Sequence, residues 1–116
     1  MRRPFTIYLR TYRKKFGLSQ REAAMLVGME TGQIVSRHES KVRTPSFKTA
    51  IAYSIVFDVP LRALFPEIYH DVEYLVLKRA RALRVALQGE RPSQRNKHKL
   101  CCVEALIRQI ETPDAV

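Results

Sequence analysis

Residues 19–39, SQREAAMLVGMETGQIVSRHE, constrain the fold more than any other stretch. They are written as two short helices joined by a tight turn. Ser19 is a good N-cap and Glu22 follows three residues on, the spacing at which a capping box satisfies two free amides of a first turn. Ala23, Ala24 and Val27 give a small apolar face, and Gly28 fits a left-handed C-cap. Thr31 is then expected to cap a second helix from Gly32 to about Ser40. Val35 and Glu39 would turn inward, with Gln33, Ser36 and Arg37 outward. Glutamine pairs bidentately with adenine and arginine with guanine, so this outward face, in a basic chain, suits a major groove.

Leu18-Ser19-Gln20, then Glu22, Ala24 and Gly28, then Val35-Ser36-Arg37 with Glu39, then Pro45-Ser46, resemble the lambda-repressor-like (XRE-type) helix-turn-helix family of DNA-binding regulators. The resemblance runs from about Thr6 to Phe65. It departs from the family's common pattern in the turn, where Gly28-Met29-Glu30-Thr31-Gly32 is one residue longer. It implies a five-helix lambda-repressor-like bundle with its helix-turn-helix in residues 1–66; with the helical extension that periodicity predicts in residues 67–116, the protein is expected to be all-α. It also implies roles for single residues. Gly32, Gln33, Ile34, Ser36 and Arg37 would face or flank the bases, and Gln20 would bond a phosphate. Arg13 and Glu39 would form a largely buried ion pair that locks the first helix to the third.

Charge agrees with a polyanionic partner. The chain has 116 residues and a formal net charge of +10, with a pI near 10.1. Such an excess attracts nucleic acid without deciding the fold. It is unevenly spread. Residues 1–48 hold eleven Lys/Arg against three Asp/Glu, residues 49–75 one against four, and residues 76–116 nine against four. An acidic middle therefore separates two basic ends. No run is long and apolar enough to be a membrane span, and no signal-peptide core follows Met1. Cys101 and Cys102 are adjacent, a spacing unsuited to an ordinary structural disulfide. These features favour a cytoplasmic, nucleoid-associated protein with no membrane partner.

Taken in order, Arg2 and Arg3 form a basic arm, read either as a DNA contact or as a solvated terminus. The first helix is expected from Phe5 or Thr6 to Phe16, burying Leu9 and Phe16. Arg21 opens the second helix beside Gln20 and is open to two readings, phosphate contact or solvated charge. Ile34 is also open to two: a thymine methyl contact, or core in competition with Val35, which is the favoured core residue. His38 reads as a packed or half-exposed ring. Lys41 and Arg43, in the loop after the reading helix, and Lys48 on the next helix suit phosphate contacts that add affinity without sequence choice.

A fourth helix is expected from Pro45, at its first position, to Phe57, with Ala50, Ile51, Ser54 and Ile55 inward. Leu61 to Phe65 would form a fifth, closing a core with Phe47, Ile51 and Leu64, and Pro66 would end the domain. Beyond it, Val72, Val76, Ala80, Leu83 and Leu87 make one stripe on a long helix from Ile68 to about Leu87. Residues 89–96, GERPSQRN, read as a polar linker. A last helix is expected over Lys97 to Ile110, with residues 111–116 fraying.

Catalytic and metal chemistry find no foothold. His98, Cys101 and Cys102 supply too few zinc ligands. The chain has no phosphate-binding glycine loop, and histidines at 38, 70 and 98 do not make a triad. Neither a cofactor nor a metal is expected, and an enzyme is the least favoured reading. The favoured one is a sequence-specific binder of double-stranded DNA, a transcriptional repressor acting as a homodimer on an inverted repeat, with the tail after Pro66 as the expected dimer surface. The alternative is an antitoxin-like or adaptor protein whose C-terminal segment, residues 89–116, binds a protein partner.

Overall fold

A computed structural model describes residues 8–112. Among these residues the secondary structure is helical throughout: α1 (Leu9–Lys15), α2 (Gln20–Val27), α3 (Gly32–Glu39), α4 (Phe47–Phe57), α5 (Leu61–Leu64), α6 (Pro66–Gln88) and α7 (Gln94–Glu111). The chain divides into two compact units, Met1–His70 and Asp71–Val116. The basic arm at Arg2 and Arg3, the expected helix start at Phe5 or Thr6, and the fraying end beyond Thr112 lie outside the described residues.

In the first unit, Leu9, Val27, Tyr53, Phe57, Leu64 and Phe65 form the main core, with Leu18, Leu61 and Ile68 packed on its edge. A smaller cluster, Ala23, Ala24 and Val35, joins α2 to α3. These small side chains let two short helices approach closely. The start of α1 is tied to the end of α5 by the Tyr8 amide, which donates to the Leu64 carbonyl at 3.0 Å.

Local signals explain most helix ends. At α2, the Ser19 hydroxyl accepts from the Glu22 amide and the Glu22 carboxylate accepts from the Ser19 amide, a complete capping box. The Ser19 amide, and to a lesser degree the Ser19 hydroxyl, hold the Glu22 carboxyl below its ordinary pKa by hydrogen bonding to it. Gly28 closes α2 at φ 79°, in the left-handed region where glycine carries no Cβ penalty. Thr31 stands at the N-cap of α3, but its hydroxyl makes no capping bond.

Five expectations need correction. The fourth helix begins at Phe47, not Pro45, because Ser46 caps it by accepting from the Thr49 amide at 3.2 Å. Its buried face is Thr49, Tyr53 and Phe57, whereas Phe47, Ile51 and Ile55 are exposed. The helix is apolar on nearly every side, so periodicity alone could not select the face. Phe16 is exposed; it lies past the end of α1, edge-on to Phe57 with ring centroids 5.3 Å apart. The long helix begins at Pro66 rather than Ile68, since proline at a first helical position loses no helix bond. Finally, α7 starts at Gln94, so the linker is shorter than expected. Ser93 caps it through the Asn96 amide, and the Asn96 side chain donates back to the Arg91 carbonyl.

In the second unit, Ala80, Leu87 and Ile107 are buried, while Val72 and Leu83 of the expected stripe are exposed. Arg81 of α6 pairs with Glu111 of α7. Among the described residues no helix is long and apolar enough to cross a membrane, and no group of three His, Cys, Asp or Glu could hold a metal ion.

Candidate nucleic-acid interface

The interface is built around α3, and three contacts on its inner side fix its position. Val35 is buried against Ala23 and Ala24 of α2. His38 is buried against α4, where its Nδ1 shares a 2.8 Å hydrogen bond with the Tyr53 hydroxyl and its ring meets Tyr53 edge-on. Burial, with a lesser contribution from the Arg43 cation, pushes the His38 pKa below its ordinary value. Burial and the nearby Glu39 charge push the Tyr53 hydroxyl well above its usual range.

The third contact is Glu39. Its carboxylate accepts from Arg13 Nε at 2.6 Å and Nη2 at 3.2 Å, and from Gln20 Nε2 at 3.2 Å. Arg13 Nη1 donates to the Leu18 carbonyl at 2.9 Å. One carboxylate thereby ties α3 to both α1 and the first turn of α2. An amide nitrogen carries two N–H bonds, and Gln20 uses one of them here.

With this inner side fixed, the 3.6-residue period turns Gln33 and Arg37 outward together, one helical turn apart. Both are exposed. Ser36 is half-buried on one flank of that face and Ile34 on the other. Ile34 lines a cleft of about 240 Å³ with Met29, His38, Arg43, Thr44, Ser46 and Thr49. Gly32 faces α2: a Cβ there would stand 3.1–3.3 Å from the Arg21 nitrogen, the Gln20 carbonyl carbon and the Gln20 Cβ. Its missing side chain admits the backbone of α2.

The loop after α3 curls over that helix's end. The amides of Val42 and Arg43 both donate to the Arg37 carbonyl, at 3.0 and 3.2 Å. Lys41 makes this possible by adopting φ 67°, a conformation more often given to glycine. Arg21, Arg43 and Lys48 are exposed, and Lys41 is half-buried. Sequence reasoning missed Tyr53 as the partner of His38 and the left-handed turn at Lys41. A lysine gives no local sign of positive φ, and Tyr53 sits on a helix whose faces looked alike.

Comparison with known families places a helix-turn-helix family model on residues 9–64, which span α1 to α5. No curated protein and no solved structure matched the chain. The match covers the capped α2, the glycine-closed turn and α3, the parts whose geometry suits a DNA groove. Residues 9–64 therefore match the XRE-type, lambda-repressor-like helix-turn-helix family of DNA-binding regulators.

Proposed function

We propose that this protein is a sequence-specific binder of double-stranded DNA that acts as a homodimeric transcriptional repressor. α3 enters the major groove. Gln33 pairs with adenine and Arg37 with guanine, each through two hydrogen bonds. Ser36 and Ile34 border those contacts, with Ile34 reaching a thymine methyl, and Gly32 flanks them with its open side turned to α2. Gln20, through its second amide N–H, and Arg21 bind one phosphate run at the start of α2. Lys41, Arg43 and Lys48 bind another beyond the end of α3. The carrying observation is the exposed Gln33–Arg37 pair on a helix anchored from behind by Arg13–Glu39 and His38–Tyr53. Two copies on one duplex read two half-sites about one helical turn apart, as dimeric helix-turn-helix proteins do.

Selection of bound sequences from a random duplex pool tests this. The expected result is an inverted repeat, with positions that change when Gln33 or Arg37 is replaced. Enrichment of no sequence at moderate ionic strength would remove the reading. A second reading rests on the exposed Leu106 of α7 and the exposed Val72, Leu75 and Leu83 of α6: a C-terminal surface that engages a protein partner, as in an antitoxin or adaptor. A full chain that binds its DNA site only together with a second polypeptide would favour it.

A further inference from the structure

Across α4, FKTAIAYSIVF, the only charged side chain is Lys48. A helix that is apolar on all sides is normally buried on all sides. Here only the inner face, Thr49, Tyr53 and Phe57, is covered. On the outer face Phe47 is 76%, Ile51 38% and Ile55 73% exposed. These residues are four apart and form one inclined row along the helix. Their uncovered surface is on the order of 350 Å², within the range of the largest apolar patch a monomer exposes, a patch that is often functional. We propose that this stripe docks against the same stripe of a second copy of the chain, two-fold and antiparallel. The proposal deepens the dimeric reading above and rests on it.

The stripe is self-complementary about Ile51. Phe47 and Ile55 lie equally far from it in opposite directions, so a two-fold axis through Ile51 sets each Phe47 against the partner copy's Ile55 end. That end borders a cleft of about 390 Å³ lined by Ser54, Ile55, Asp58, Val59 and Pro60. The cleft is shallow and open, so each Phe47 ring would lie over it in the pair rather than enter it. Charge agrees with the same pairing. Lys48 flanks the stripe near its start and Asp58 stands at its far end, both exposed, and the antiparallel arrangement brings opposite signs together twice. A stable interface needs roughly 800 Å² per partner. The patch supplies the apolar centre of such an area. The contact also neighbours the loop that follows α3, so it would hold two reading helices side by side.

The test is sedimentation velocity on the full chain without DNA, over micromolar concentrations, with helicity checked by circular dichroism. Wild type is expected to dimerise. Ile55→Glu should raise the dimer Kd roughly a hundredfold, because each copy then carries a charge into an apolar interface. Lys48→Glu and Asp58→Lys should each weaken association about tenfold, and the double swap should recover most of it. A chain that stays monomeric overturns the proposal. So does a dimer that ignores Ile55→Glu but dissociates on Leu83→Glu, which puts the contact on α6. A variant that loses helicity is replaced by Ile55→Ala, judged by the same Kd shift. Because the readout omits DNA, intact dimers that show no sequence preference would count against the DNA reading alone.

Discussion

Arg13 of α1 and Glu39 of α3 are joined at two points, Nε to Oε2 at 2.6 Å and Nη2 to Oε1 at 3.2 Å, with side chains 11% and 6% exposed. Water is largely excluded from the pair, and Gln20 and the Leu18 carbonyl complete its hydrogen bonding. Removing one partner strands the other charge in a poorly solvated place. Arg13→Ala is expected to cost about 3–5 kcal/mol of unfolding free energy, read from urea denaturation. Arg13→Lys should recover little, since an ammonium cannot offer two parallel N–H bonds. A loss under 1 kcal/mol would show that the pair does not anchor α3.

Gly32 sets the spacing of α2 and α3. A methyl group there meets backbone of Gln20 and Arg21 at 3.1–3.2 Å, and backbone cannot rotate away. Gly32→Ala should therefore cost about 1–3 kcal/mol and weaken DNA binding by tilting α3. Gly89→Ala is the control. Its nearest neighbours would be carbonyl oxygens at 3.7 Å, ordinary contact, and its φ is not positive. It should be neutral or stabilise by up to about 1 kcal/mol. Equal thermal shifts for the two variants would refute the close-approach argument.

The second and third helices were legible because each signal was local. Ser19 with Glu22, Gly28, and the outward Gln33 and Arg37 can be read without knowing what packs behind them. The face of α4 was not legible. With Phe47, Ile51, Tyr53, Ile55 and Phe57 all apolar, its orientation depends on distant partners, His38 for Tyr53 and Tyr12 and Phe16 for Phe57. The use of Gly32 was hidden for the same reason, since its constraint comes from α2. Gln20 was read only toward a phosphate, and its bond to Glu39 spans nineteen residues of sequence.

The two proposed classes of DNA contact should separate in binding data. Arg37→Ala removes a bidentate base contact and should cost about 1–3 kcal/mol on the selected site while changing preference at one base pair. Lys41→Ala removes a phosphate contact. It should weaken selected and random duplexes alike and reduce the slope of log K against log salt by about 0.9. Fluorescence anisotropy titrations at several salt concentrations give both quantities. Equal losses on selected and random DNA for Arg37→Ala would exclude Arg37 from base reading.

His38 is expected to make stability, and with it the proposed DNA affinity, fall on mild acidification. Its ring is buried with Tyr53 on one side, and Arg43 adds positive potential. Tyr53 stays protonated throughout, because burial and Glu39 raise its pKa. Protonating the ring in the folded state is therefore disfavoured, and its folded pKa lies below the unfolded value of about 6.5. In that window the unfolded chain binds more protons. The His38 contribution is then complete above about pH 6.5 and is lost as pH falls through the folded value. The urea midpoint should be flat from about pH 8 to 7 and decline toward pH 5. His38→Gln, which keeps a partner for Tyr53 without a titrating ring, should flatten that decline. DNA affinity should follow the same curve, since the ring supports the back of α3. Parallel pH profiles for wild type and His38→Gln would assign the decline to other groups.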